Sequence, residues 1–164
     1  MEAEIDTLVD DYFEYSYWWV NEGNKDFEGQ NAPLREAYEK LEAEGASDDK
    51  INQVMSSLMQ NHPVKEHPKE WASDRVRDLI SDGCDYLWPL IKRLVEKCPD
   101  DEVLNYFAAG PVEEFLSIYG NEYLSEIEEL AKSDKKFRKI LSGVWQGQMD
   151  GDLWARITHI SQAT

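Results

Sequence analysis

The sequence is poor in the residues that usually carry metal and redox chemistry. It holds two cysteines and three histidines among 164 residues, and their spacings do not match a zinc site. Phosphate-binding glycine loops, dinucleotide-binding glycine patterns and nucleophile-elbow motifs are also missing. We therefore expect no metal, no cofactor and no catalytic residue that a motif would reveal.

Long apolar runs are missing as well. No stretch approaches the ~18 apolar residues that cross a bilayer. The acidic start "MEAEIDTLVDDYFEY" differs from a secretory signal, which is basic and then apolar. If one helix carries both Cys84 and Cys98, they lie about 21 Å apart, too far for a disulfide. These features predict a cytoplasmic protein without a disulfide.

Basic side chains are half as numerous as acidic ones. The 17 basic and 34 acidic residues give a formal charge of -17, and the excess is greatest in residues 1–60. Such a field repels nucleic acid and anionic membranes and attracts basic partners. Solubility alone also explains an acidic surface. The charge predicts a basic protein partner, no nucleic-acid or membrane partner, and no particular oligomeric state.

Apolar residues recur at helical spacing along the whole chain. The first helix shows this most clearly, because one stripe contains Ile5, Leu8, Val9, Tyr12, Phe13, Ser16, Trp19 and Val20. Helical segments separated by short breaks, without alternating strands, predict an all-α fold. We expect a single domain over 1–164, built as an irregular bundle of antiparallel helical hairpins, with a solenoid in the second half as the minority alternative.

Glycine, asparagine and proline predict where these helices end. The stretch 21–33 (NEGNKDFEGQNAP) is expected to end the first helix and to place Pro33 in the first turn of the next. Gly45 then suits a left-handed helix end. Gly110 and Pro111 are interpreted as a further break, and the stretch 62–70, with two His-Pro pairs, as a connector.

The polar face of the first helix provides the candidate binding surface. Trp18 lies opposite the apolar stripe, and acidic and aromatic residues surround it. The predicted interface consists of Asp10, Asp11, Glu14, Tyr15, Tyr17 and Trp18. Buried aromatic anchors dominate interface energies and acids steer the encounter, so this combination suits a basic partner. Burial of Trp18 by a helix from the second half remains an open alternative.

The segment 143–157 (GVWQGQMDGDLWARI) is interpreted as a turn. Asp150 and Asp152 match the first two acidic positions of a calcium loop, but the remaining positions fail the pattern. An aspartate before an apolar helical run is typical of an N-cap, and glycine permits the sharp reversal. We expect Trp145 and Trp154 to cover the core on either side of this turn.

The remaining polar clusters are predicted to be structural. Glu66 with His62 and His67 lacks the spacing of a metal site and belongs to a solvated connector. Neighbouring carboxylates such as Glu113 and Glu114 can catalyse acid/base chemistry when burial splits their pKa values, but such groups lie at helix starts or on polar faces and are predicted to be structural. The basic cluster at 132–139 is expected to pair with the acidic segment before it.

One part of the chain resembles a known family. The phrases that carry the resemblance are Ala109-Gly110-Pro111 with Glu113, Gly143-Val144-Trp145-Gln146, and Trp154-Ala155-Arg156. Because of these phrases, residues 70–158 resemble a bacterial family of uncharacterised proteins, a domain of unknown function. The resemblance implies a helical cytoplasmic protein and no known catalytic residues, and residues 1–60 lie outside it.

Three functional hypotheses follow. The leading one is a non-catalytic binding protein that inhibits a basic partner, such as an immunity protein that neutralises a bacterial nuclease toxin. The second is a nucleic-acid mimic whose carboxylates replace phosphates, which requires a regular carboxylate row. The third is an enzyme that uses a carboxylate pair. The identity of the partner is not predicted.

Overall fold

The structure is a computed structural model that describes residues 2–61, 66–99 and 102–162. Throughout these ranges the chain is helical with short connections and has no strand, which confirms the all-α prediction. Two compact units are present, one formed by Trp18–His67 and the other by Met1–Tyr17 with Pro68–Thr164. The prediction of a single domain over 1–164 stays a prediction.

The helices range from 6 to 20 residues in length and follow one another closely. In chain order they are α1 (Glu2–Trp18), α2 (Asn24–Ala43), α3 (Asp48–Asn61), α4 (Glu70–Asp82), α5 (Leu87–Lys97), α6 (Glu102–Phe107), α7 (Glu113–Tyr119), α8 (Leu124–Ser133), α9 (Lys135–Ser142) and α10 (Gly151–Gln162). Two π-helical turns, Trp19–Gly23 and Ala108–Val112, lie among them. Across the described ranges, no helix combines the length and the apolar character that a bilayer-spanning segment needs.

The predicted loop at 21–33 is wrong, because the smaller unit is helical there. The π-helical turn Trp19–Gly23 leads directly into α2, and Pro33 lies inside that helix. A Cβ atom on Gly23 would lie 2.7 Å from the Trp18 ring, so glycine here allows close packing of an aromatic side chain. Packing thus overrides the local helix-breaking tendency of glycine and proline. Gly45 has a φ of 66°, which confirms the predicted left-handed end.

In the larger unit, α5 supplies the most completely buried face. Its buried residues are Leu87, Leu90, Ile91, Leu94 and Val95, as the helical spacing predicts. Pro89 lies in the first turn, where its missing N–H has no helical partner to lose. Full burial of each large aliphatic side chain stabilises the fold by about 1.5–3 kcal/mol relative to exposure.

Helix α1 contributes an aromatic layer to the same core. Tyr12 and Phe13 meet Phe107 of α6 edge-to-face, with ring centroids 6.2 and 5.7 Å away. The stripe predicted for this helix is buried from Leu8 to Ser16. The hydroxyl of Ser16 donates a hydrogen bond of 2.8 Å to the Tyr12 carbonyl, which satisfies this polar atom inside the core.

The predicted break at Gly110 and Pro111 is wrong. Helical structure continues from α6 into α7 through the π-helical turn Ala108–Val112, and the Glu113 N–H donates to the Ala108 carbonyl. A π-helical turn is wider than an α-helical turn and shifts the backbone pairing by one residue. This shift accommodates the proline, whose nitrogen carries no hydrogen to donate.

Candidate protein-binding surface

Two of the three acids on the predicted interface of α1, Asp10 and Asp11, form ion pairs within the larger unit. Lys97 Nζ lies 2.5 Å from Asp10 Oδ1, and Lys69 Nζ lies 2.6 Å from Asp11 Oδ1. One turn earlier, Asp6 accepts a hydrogen bond of 2.6 Å from Arg93 Nε, which lowers the pKa of that carboxyl. These pairs join α1 to α5 and to the residue before α4. Asp11 is buried, so it offers little surface to a partner.

The aromatic residues of the predicted interface differ in exposure. The expectation that Tyr15 lies on the polar face is wrong, because its side chain is 6% exposed. Burial raises the pKa of Tyr15 to about 12, with smaller contributions from Tyr106 and from Glu70 and Asp74 of α4. Helix α1 is therefore covered on more than the one face that its periodicity predicts. Tyr17 is 56% exposed, and Glu14 is exposed as well.

Trp18 belongs to the smaller unit and is half-buried there. Its ring stacks on the His67 imidazole at a centroid distance of 4.8 Å and an interplanar angle of 25°. Trp19 lies against it at 6.2 Å. His67, which was assigned to a solvated connector, therefore packs on an aromatic ring, whereas His62 lies outside the described residues. Over the described ranges, no three His, Cys, Asp or Glu side chains converge as metal ligands.

A groove between α1 and α4 is a mainly apolar concave surface of the larger unit. It has a volume of about 680 Å³. Ile5 and Leu8 of α1 line one side, and Trp71 and Leu79 of α4 line the other, with Tyr86 at the end. Leu8 and Leu79 are buried, whereas Trp71 is 48% exposed. We call this surface the α1–α4 groove.

Acidic residues lie in and beside the α1–α4 groove. Glu4 lies on the α1 side. Asp78, Asp82 and Asp85 line a neighbouring cleft that shares Arg75, Leu79 and Tyr86 with the groove. One carboxylate and one guanidinium group thus line the groove with its exposed indole, and three further carboxylates line the cleft beside it. Sequence reasoning missed Trp71, although its spacing places it on the polar face of α4 with Arg75 and Asp78, away from the buried Ala72 and Val76.

The turn interpretation of segment 143–157 is confirmed. Asp150 Oδ1 accepts the Leu153 N–H at 2.8 Å, as an N-cap does, and Oδ2 accepts the Asn121 amide at 2.9 Å. These two hydrogen bonds lower the pKa of Asp150. Gly147 has a φ of 51°, the left-handed conformation that glycine adopts readily.

The prediction that Trp145 covers the core is wrong, because its side chain is 75% exposed. Glu113 explains this difference. Its carboxylate accepts the Trp145 N–H at 3.3 Å, and it would lie 2.9 Å from a Cβ atom on Gly147. The backbone of the turn thus closes over Glu113, and the indole points away. Trp154 is half-buried.

The paired carboxylates and the basic cluster have separate structural partners. Glu113 holds the turn, while Glu114 accepts a hydrogen bond from Ser81 at 2.6 Å. Lys132 pairs with Glu129, as predicted, but Arg138 donates to the Ala131 carbonyl at the end of α8. Lys136 donates to the carbonyls of Glu96 and Cys98 at the end of α5, at 2.6 and 3.1 Å.

These helix-end contacts correct the prediction that the whole basic cluster pairs with the acidic segment before it. Cations at helix carboxyl ends satisfy unpaired carbonyls and complement the helix dipole. Cys84 lies before α5 and Cys98 directly after it, so one helix does not carry both, and no disulfide joins them.

Comparison with known proteins identifies the family. The model of a family of unknown function, DUF6869, matches residues 59–164. This match includes the predicted range 70–158 and extends beyond both of its ends, so it contains α4 to α10. Neither the curated proteins nor the solved structures give a match to this chain. The chain belongs to the family of unknown function DUF6869.

Proposed function

We propose that this chain is a non-catalytic binding protein that inhibits a basic protein partner, in the manner of an immunity protein that neutralises a toxin such as a nuclease. The observation that carries the proposal is the α1–α4 groove, where an exposed Trp71 lies beside an apolar floor, with Glu4 in the groove and three aspartates in the adjoining cleft. We place the protein in the cytoplasm, because two cysteines that no disulfide joins suit a reducing environment.

The groove suits one kind of occupant. Its apolar floor and indole would bury apolar side chains of the partner, while Glu4, Asp78, Asp82 and Asp85 would attract lysine and arginine. An amphipathic helix with a basic polar face combines both features and lies readily along a groove between two helices. The formal charge of -17 would accelerate the encounter with such a partner.

The proposed surface uses a different face of α1 from the predicted interface. Asp10 and Asp11 pair with lysines of the same unit, and Tyr15 is buried, so the new surface leaves them out. The engaged acids also weigh against a nucleic-acid mimic, which needs a row of carboxylates available to replace phosphates. The separate structural contacts of Glu113 and Glu114 weigh against an enzyme that uses this pair.

A comparison of three baits tests the proposal. Wild-type protein, Trp71→Ala and Trp145→Ala are immobilised and exposed to a lysate of the source organism, and retained proteins are identified by mass spectrometry. The control removes an indole that is even more exposed but lies outside the groove. We expect a basic protein that wild type and Trp145→Ala retain and Trp71→Ala loses.

The retained protein is then purified and titrated. We expect Trp71→Ala to weaken its binding by about 2 kcal/mol or more, the size of a hot-spot loss. Stoichiometric wild-type protein should abolish the activity of the partner. Equal binding by all three baits would remove the groove from the interface, and an active partner in the complex would contradict inhibition.

A further inference from the structure

A second concave surface lies on the larger unit, where α8, α9 and α10 meet. This cleft has a volume of about 400 Å³. Lys132 of α8, Arg138 of α9, and Arg156 and His159 of α10 line it, and Glu128 is its one carboxylate. Three permanent positive charges and one carboxylate line this cleft, and Lys132 also pairs with Glu129 beside it. A mainly positive lining stands out in a chain with a formal charge of -17.

The two arginines are held in place by contacts that use part of each guanidinium group. Arg156 Nε lies 2.5 Å from Glu128 Oε1. Arg138 donates through Nη1 to the carbonyls of Ala131 and Lys132. Within the described part of the chain, these contacts leave Nη1 and Nη2 of Arg156, and Nε and Nη2 of Arg138, as donors for a ligand. Guanidinium donors match the oxygens of carboxylates and phosphates.

The cleft also has apolar walls. Ala131 of α8 and Ile160 of α10 line it together with the cations. Its volume falls within the range of about 300–1,000 Å³ that is usual for small-molecule sites. A site that combines cations with apolar walls suits an anion that carries an apolar group better than it suits an inorganic ion.

We propose that this cleft binds a small organic oxyanion, a carboxylate or phosphate monoester whose charged group contacts Arg138 and Arg156 and whose apolar part lies on Ala131 and Ile160. Lys132 and the His159 imidazole complete the lining. The site is separate from the α1–α4 groove, shares no lining residue with it, and does not depend on the proposed inhibitor function.

Titration of the full chain tests the site. The probes are phenyl phosphate, benzoate and inorganic phosphate. Their binding is measured by backbone amide shifts in NMR spectra and by calorimetry. We expect phenyl phosphate or benzoate to shift amides of α8, α9 and α10 and to bind about tenfold more tightly than inorganic phosphate, because the ring buries apolar surface. The stronger of the two organic probes identifies the charged group.

Arg156→Gln and Arg77→Gln form a matched pair of variants. The two arginine side chains are 57% and 60% exposed and each pairs with one carboxylate, but Arg77 lies on α4 outside the cleft. Arg156→Gln should weaken binding of the organic probe by about tenfold or more, because a charge-assisted hydrogen bond is lost. Arg77→Gln should leave the affinity unchanged.

Three outcomes would overturn the proposal. The first is an absence of amide shifts in the cleft with any probe, and the second is an equal loss of affinity in both variants. The third is equal affinity for inorganic phosphate and phenyl phosphate, which would show that the apolar walls take no part. His159→Gln gives an independent check, because the exposed ring lies in the cleft and outside the core. This variant should weaken binding of the organic probe and leave the fold intact.

Discussion

Lys69 Nζ donates a hydrogen bond of 2.6 Å to Asp11 Oδ1, although the two residues lie 58 positions apart in the chain. This hydrogen bond raises the pKa of Lys69. It also fixes the middle of α1 to the residue that precedes α4, so it helps to position both walls of the α1–α4 groove. Asp11, which the sequence analysis assigns to a partner interface, thus forms an ion pair within the larger unit.

Removal of the ion pair between Lys69 and Asp11 should destabilise the fold. The Asp11 side chain is 12% exposed, and Asp11→Ala should lower the free energy of unfolding by about 1–2 kcal/mol, because a partly buried charged hydrogen bond is lost. Asp10→Ala is the control, since the Asp10 side chain is 63% exposed, and it should cost no more than about 0.5 kcal/mol. Urea denaturation measures both values. Equal losses would show that the burial of Asp11 contributes nothing.

Gly83 should resist substitution for two separable reasons. Its φ of 74° is left-handed, and a Cβ atom there would lie 2.7 Å from the Tyr119 hydroxyl. Gly83→Ala should cost about 1–2 kcal/mol, mainly because of the backbone conformation. The double variant with Tyr119→Phe should recover part of this loss by removing the crowded hydroxyl.

Gly110→Ala is the matched control for Gly83→Ala. Gly110 also lies in the larger unit, but a Cβ atom there meets nothing within 4 Å, and its φ is not positive. Thermal unfolding should show unchanged or slightly raised stability for this variant, because alanine restricts the unfolded chain. A large loss at Gly110 would mean that the π-helical turn itself requires glycine.

Helical periodicity explains how much of the fold could be predicted. The stripe on α5 is buried as its spacing predicts, because one face of an amphipathic helix must pack on a core. The errors at 21–33 and at Pro111 share one cause. Local rules treat glycine and proline as breaks, whereas a π-helical turn continues the helix in both segments, and at Gly23 the missing Cβ leaves room for the Trp18 ring.

The candidate surface was less predictable because it depends on neighbouring helices. Periodicity places Trp71 on the polar face of α4, but it does not reveal that α1 lies alongside to form a groove. The opposite error occurred at Tyr15, which periodicity places off the stripe and which nonetheless is buried. The exposure of an aromatic residue cannot be predicted from the periodicity of its own helix alone, because it also depends on where the adjacent helices lie.

Trp145 should contribute little to stability despite its size. Its indole is 75% exposed, so Trp145→Ala should change the free energy of unfolding by no more than about 0.5 kcal/mol. Phe115→Ala provides the contrast, because this ring is buried between Trp88 and Tyr123. It should cost about 3 kcal/mol or more. Chemical denaturation compares the two, and a similar loss in both would place the Trp145 indole inside the core.

The cap of α10 should make stability depend on pH. The Leu153 N–H and the Asn121 amide both donate to Asp150 and hold its pKa below the ordinary value of 3.8. A carboxyl whose pKa is lower in the folded state stabilises the fold above its unfolded pKa. This contribution is lost as the pH falls through the folded value, because the unfolded chain then binds more protons.

Asp150→Asn isolates this contribution. Asparagine also caps helices well, so the variant should keep the turn while losing the charge. Wild type should unfold at a higher temperature near about pH 7, and the difference should shrink as the pH falls below 3.8. Asp152→Asn is the control, because Asp152 lies in the same first turn without the Asn121 hydrogen bond. A difference between wild type and Asp150→Asn that stays constant from neutral to acidic pH would show that the charge of Asp150 contributes nothing to the cap.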